Sequence, residues 1–114
     1  MDPLLSMVEY TMGGLQLRLD TVAHNVANSN TPLYRSQRVD FEANLADALR
    51  NGRSAPANAP RAAGGWDLPD NSGNSVSLEN EIVDMTKTGL ERQVMVSSFN
   101  YKLDLLKAAA GVPR

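Results

Sequence analysis

Apolar residues recur through the first part of the chain at Leu4, Val8, Met12, Leu15, Leu19, Val22 and Val26. The steps of three and four residues are those of a narrow, heptad-like helical seam. Asp2 is a good N-cap, and Pro3 suits the first helical position, where a missing N–H costs nothing. The pattern predicts a long helix over residues 3 to 28. Gly13 and Gly14 interrupt it, each at a cost of about 1 kcal/mol relative to alanine. They mark either a kink or a close crossing of another element, and the kink is the first expectation.

Thr31-Pro32 ends this helix, because proline disfavours helical geometry in the residue before it. Asn25, Asn28 and Asn30 crowd the same stretch. Asparagine tolerates left-handed backbone and bonds exposed carbonyls, so these amides build a helix stop without glycine. A short helix is expected at 41 to 50, with Asp40 as cap, Phe41, Leu45, Ala48 and Leu49 on one face, and Gly52 at its end. Residues 53 to 75 are dominated by Ala, Pro, Gly, Asn and Ser, too poor in apolar groups to offset their own ordering entropy. They read as an irregular loop. Trp66, within it, is either a buried clip or an exposed ring.

A second long helix is predicted over 77 to 110. Ser77 is its N-cap, Glu79 and Glu81 suit its positive end, and Gly111 and Pro113 stop it. Leu78, Ile82, Met85, Gly89, Val96, Phe99, Leu103, Leu106 and Ala110 follow a heptad track broken near Arg92 and Gln93. Val83, Leu90, Val94, Tyr101 and Leu105 form a second stripe. The two helices would be about 39 and 50 Å long. The expected fold class is all-α: long N- and C-terminal helices packed as an antiparallel, coiled-coil-like hairpin, with a short helix and an irregular loop between them. The division is 1–30 for the first helix, 31–76 for the turn, short helix and loop, and 77–114 for the second helix. In the predicted packing Leu15, Leu19, Val22 and Val26 meet Ile82, Met85, Val96, Phe99, Leu103 and Leu106. Two helices alone bury one seam, so the second stripe implies a partner.

Composition narrows the function. At 114 residues the chain is one domain or less, and aromatics are only 5%, few anchors for a compact core. A net charge of −2 suggests no nucleic-acid field. The acids Asp67, Asp70, Glu79, Glu81 and Asp84 precede a basic excess of Lys87, Arg92, Lys102, Lys107 and Arg114. That order suits the dipole of the last helix and could also steer a head-to-tail partner. There is no cysteine and one histidine, which leaves no cysteine or histidine metal set. No apolar run approaches the ~18 residues of a membrane span. "MDPLLSMVEY" lacks a basic n-region, so no cleavable secretory signal is expected.

Catalytic constellations are not found. His24 has no acid and nucleophile at motif spacing and reads as a surface or interface residue. Glu79, Glu81 and Asp84 read as a solvated first helical turn rather than a catalytic carboxylate pair. Residues 67 to 74 lack the spaced acids of a calcium loop and read as a turn. Met7, Met12, Met85 and Met95 are ordinary packing residues. No catalytic, cofactor-binding or metal site is therefore expected.

The helix-ending stretch, with Ala23, Asn25, Ala27, Asn28, Thr31, Pro32 and Tyr34, resembles the Ala-x-Asn-x-Ala-Asn-x-x-Thr-Pro-Gly-Tyr pattern of the axial proteins of the bacterial flagellum. "LQLR" at 15–18, "VDFEANLADAL" at 39–49, "GNSVSLENEIVDM" at 73–85 and "FNYKLDLLKAAAG" at 99–111 resemble the rod proteins of its membrane-proximal end. Leu33 stands where that family has glycine, Arg35 replaces its lysine, and Leu19-Asp20 replaces an Arg-Gln pair. The resemblance implies a non-enzymatic structural subunit of the proximal rod, assembling helically to transmit torque. It implies that the motif residues also touch neighbouring subunits, and that the chain stays loosely folded until assembly. It implies partners in further copies of itself, the rod proteins FlgC, FlgF and FliE, the membrane ring protein FliF and the export gate. No nucleic acid, small-molecule substrate or cofactor is implied. The location implied is the periplasmic rod, reached by type III export. A sibling rod protein such as FlgC, or a cytoplasmic helical-hairpin adaptor or secretion chaperone, is the alternative reading.

Overall fold

A computed structural model describes residues 3–64, 69 and 73–111. Five elements follow in order: α1 (Pro3–Ala27), β1 (Gln37–Val39), α2 (Phe41–Arg50), β2 (Ala62–Gly64) and α3 (Leu78–Ala109). The two long helices pack together and run antiparallel. Asn25 near the end of α1 meets Glu81 near the start of α3, while Leu5, Val8 and Met12 share a cleft with Met95, Val96 and Phe99. The radius of gyration is 17.6 Å over extents of 62 × 32 × 14 Å. A compact chain of this length would have about 13 Å. The molecule is a flat rod with little interior.

The fold is mostly helical but not purely all-α. β1 and β2 form a two-stranded antiparallel sheet, with Gln37 opposite Gly64, Arg38 opposite Ala63 and Val39 opposite Ala62. Ala62-Ala63-Gly64 has no β propensity and all three residues are exposed, so no local pattern announces the strand. It forms because the main chain of β1 offers a free edge. Helix ends otherwise follow their local chemistry. The Ser77 hydroxyl accepts the Asn80 N–H at 3.4 Å. Gly111, at φ 73°, takes the left-handed position after the last turn of α3. Asp40 precedes α2 but makes no side-chain cap bond. Asp2, Trp66 and Pro113 lie outside the described residues.

The apolar core is small and lies where α1, β1 and α2 meet. It consists of Tyr10, Leu15, Val39 and Phe41, with Leu17, Leu45, Ala55 and Met95 packed around it. The Tyr10 and Phe41 rings meet edge to face at 6.2 Å. The Arg18 guanidinium lies 4.8 Å from the Phe41 ring centre. It also binds both Glu42 oxygens and donates to the Val39 carbonyl. The bond to Glu42 raises the Arg18 pKa. Partial burial pushes the Glu42 carboxyl up, but the hydrogen bond and charge of Arg18 outweigh it and hold Glu42 below its ordinary value.

Gly14 settles the alternative between kink and crossing. α1 runs unbroken through it. A Cβ on Gly14 would sit 2.4 Å from the Phe41 ring, whereas one on Gly13 would meet nothing within 4 Å. Gly14 admits the first residue of α2 against the helix backbone. Gly14→Ala should therefore destabilise the chain by about 1–3 kcal/mol through overpacking. Gly13→Ala should stabilise it by about 1 kcal/mol through helix propensity. Thermal denaturation of the two variants checks the opposite signs.

Candidate functional site: a polar lock between the helix ends

Among the described residues, those around the end of α1 make a densely connected polar site. Asn25 is wholly buried at 0% exposure. Its Nδ2 donates to the Gln37 carbonyl at 2.9 Å and to Glu81 Oε1 at 3.1 Å. Its Oδ1 accepts the Gln37 N–H at 2.9 Å and the Tyr34 hydroxyl at 3.2 Å. One amide thus satisfies both main-chain groups of Gln37, as a neighbouring strand would. It closes one side of β1 while β2 closes the other.

Glu81 is the second centre, also at 0% exposure. A buried carboxylate is expensive unless paired and hydrogen-bonded. Arg38 Nη1 of β1 supplies the pair at 2.7 Å, and reaches Asp84 at 3.4 Å. Glu81 Oε2 has no hydrogen-bond partner among the described residues. The charge therefore rests on Asn25 and Arg38 alone.

A third knot ties the approach to α3 onto the turn after α1. Asn74 Nδ2 donates to the carbonyls of Asn28 at 2.8 Å and Thr31 at 2.6 Å, and its Oδ1 accepts the Val76 N–H at 2.8 Å. The Ser75 N–H donates to the Tyr34 carbonyl at 2.9 Å, and the Ser36 N–H donates to Ser75 Oγ at 2.7 Å. Asn28 closes the turn itself, donating to the His24 carbonyl and accepting from the Thr31 hydroxyl. Leu33 takes φ 65°, the conformation a glycine would take, at 77% exposure. Its side chain lies over Gly73, at φ 78°, where a Cβ would come within 2.5 Å of Leu33 Cδ2. The turn is therefore built in the left-handed geometry, with a leucine carrying the strain.

The expected site residues divide accordingly. Of the motif, Asn25 is buried, Asn28 and Tyr34 are half-buried, and Ala23, Ala27, Thr31 and Pro32 are exposed. His24 is exposed. Of the expected seam, Leu15 and Val22 are buried, Leu19 and Phe99 are half-buried, and Val26 is largely exposed. Ile82, Met85, Leu103 and Leu106 are exposed, so they do not form the inner face of α3 within one chain, while Val96, also exposed, borders the cleft with Leu5, Val8 and Met12. That face is Glu81 and Thr88, continued by half-buried Asp84, Glu91, Met95 and Phe99. The physical reason is the lock. Glu81 must point at Arg38 and Asn25, and this sets the rotation of α3. Sequence reasoning took Glu81 for a helix-dipole acid and passed over Arg38, Asn74, Ser75 and Ser36. The one available signal was the seven-residue spacing of Glu81, Thr88 and Met95.

Among the described residues no group of three His, Cys, Asp or Glu side chains could hold a metal ion. No helix among them is long and apolar enough to cross a membrane.

The sequence of the chain is similar to that of flagellar basal-body rod proteins named FlgB. It is 26% identical to the "flagellar basal body rod protein FlgB" of Escherichia coli K12 over 123 aligned positions, covering 88% of this chain and 89% of that protein. The protein of the same name from Shigella flexneri matches to the same extent. No protein-family model matches the chain.

Two substitutions test the lock. Asn25→Ala leaves the Gln37 main chain unsatisfied and Glu81 with Arg38 alone, and should cost about 3 kcal/mol or more, read as a lower urea midpoint. Leu33→Gly removes the left-handed strain and should raise stability by about 0.5–1 kcal/mol, net of the added freedom of the unfolded chain.

Proposed function

We propose that this chain is a structural subunit of the flagellar basal-body rod, built into its membrane-proximal end and carrying torque without catalysis. The observation that carries this reading is the similarity to the two rod proteins along nearly the full length of both chains. The exposed apolar positions of α3 support it. Ile82, Val83, Leu90, Val94, Tyr101 and Leu105 are each more than half exposed in a single chain. Apolar surface on that scale is covered in a working molecule. A tube of such subunits is generated by a heterologous contact that does not close on itself.

In this reading α1 and α3 run along the rod, and side-chain contacts between neighbours pass the twisting load. The seam residues left exposed, including Val26, Ile82, Met85, Leu103 and Leu106, are the ones that meet other subunits. So are the exposed motif residues Ala23, Ala27, Thr31 and Pro32. Asn25 instead holds the turn that presents them. Neighbours would be further copies, the rod proteins FlgC, FlgF and FliE, the ring protein FliF and the export gate. The chain would reach the periplasm by type III export.

Mass spectrometry of detergent-purified hook–basal bodies from the source organism should find this chain at a few copies beside the other rod proteins. Leu103→Asp should leave the chain exportable but unable to assemble, giving non-motile cells. Basal bodies without this chain but with its rod companions, or normal swimming of the Leu103→Asp strain, would overturn the reading.

A further inference from the structure

Two features at opposite ends of α1 are left open within one chain. In the motif turn, Leu33 is the one non-glycine residue with positive φ among the described residues, and it is also their most exposed large apolar side chain. Such backbone strain persists where the surrounding structure over-determines it, and it collects at functional positions. Here the Asn74 bonds to the Asn28 and Thr31 carbonyls, and the Ser75 bond to Tyr34, hold the turn. Tyr34 is half-buried and Ser36 buried, so Leu33 and Arg35 are the residues that face outward. The Arg35 guanidinium has no ion pair among the described residues. Toward the other end of α1, a cleft of about 310 Å³ lies between Leu5, Val8 and Met12 of α1 and Met95, Val96 and Phe99 of α3. One charged side chain, Glu9, borders it. Glu9 is exposed and has no ion pair among the described residues. Val8 and Ala27 stand nineteen residues apart on an unbroken helix, about 28 Å, and Leu33 is held in the turn beyond Ala27. A chain therefore cannot seat its own Leu33 in its own cleft.

We propose that Leu33 is an anchor that enters the α1–α3 cleft of a second copy of this chain, with Arg35 beside the Glu9 of that copy. The inference rests on the rod-subunit reading and supplies one of its contacts. Two unpaired charges of opposite sign select this occupant. Each sits next to its apolar counterpart, Arg35 two residues from the leucine and Glu9 on the rim of the cleft. The contact also accounts for the strain: a leucine at this φ costs stability in the free chain and gains a buried seat between chains. One leucine buries too little to offset the freedom lost on association. The contact therefore forms between copies that other contacts of the rod already hold together, and does not by itself drive addition. Turn and cleft are different surfaces, so a row of a few copies ends in one empty cleft and one empty turn.

The full chain in its own strain tests this, read as the amount of chain in purified hook–basal bodies. Leu33→Gly should melt no lower than the unaltered chain, yet reduce incorporation by ~tenfold or more, as loss of an anchor does. Leu33→Met keeps a large apolar side chain and should retain most of the incorporation. Arg35→Glu and Glu9→Arg should each reduce it, and a chain carrying both should recover, because the pair is then remade in the reversed sense. The chain has no cysteine, so Arg35→Cys and Glu9→Cys in one chain give a direct readout. Mild oxidation of basal bodies should join copies to one another, and neither single variant should be joined. Full incorporation of Leu33→Gly would overturn the proposal. A lower melting temperature for that variant would also do so, since Leu33 would then be a clamp over Gly73. So would charge variants without effect, or a double variant as defective as the singles, which would point to separate partners. If basal bodies contain the unaltered chain but the reversed pair does not recover, this contact fails and the rod reading stands. If basal bodies lack the unaltered chain, the rod reading fails and this contact with it.

Discussion

A carboxylate with no access to water organises this molecule. Glu81 is held in the interior by one guanidinium and one amide, and leaving a buried charge without such partners would cost several kcal/mol. α3 therefore cannot rotate or slide against α1 without breaking the contact. The rotation it sets turns a mainly polar edge of α3 inward and its best apolar positions outward. Asn25 cannot move either, because the same side chain completes the hydrogen bonding of β1. Register between the helices, position of the small sheet and geometry of the motif turn are thus one constraint.

The apolar contribution is confined to a neighbouring region. Tyr10, Leu15, Val39 and Phe41 pack where α2 turns back on α1, and only a glycine at position 14 lets the Phe41 ring approach so closely. Beyond this, α1 and α3 run on with few buried side chains. Polar locks specify geometry well and contribute modest net stability, while apolar burial contributes most of the stability and specifies less. Here the first is made within one chain, save for one oxygen of Glu81, and the second is not. A chain with that balance has a defined shape before it has a covered surface, which suits a subunit finished by its neighbours.

The asparagine-rich turn acquires a second meaning from this. Its buried members, Asn25 and in part Asn28, act inside the chain, and segment 73–75 is bound to the same turn through Asn74 and Ser75. Two stretches that resemble flagellar axial proteins, far apart in sequence, are therefore in direct contact. The exposed motif residues, Ala23, Ala27, Thr31 and Pro32, are small, and Leu33 stands out beside them. Leu33 shows that the turn's shape outranks the identity of its residues, since the left-handed backbone persists without the glycine that favours it.

By itself the sequence determined the three helices, their ends and the excess of apolar positions over what one hairpin can bury. These follow from properties local to the chain: 3.6-residue periodicity, the Ser77 cap, the stop at Thr31-Pro32 and Gly111 after α3. It also carried the asparagine turn and the family resemblance. Only the tertiary structure decided which face of α3 looks inward, because two competing leucine-rich stripes look alike to periodicity while one buried glutamate breaks the tie. Only it decided that Ala62-Ala63-Gly64 pairs as a strand, since that pairing depends on an edge offered from 23 residues away rather than on its own propensity. And only it decided that Gly14 serves a crossing and not a kink, because the reason for that glycine is an aromatic ring on another element.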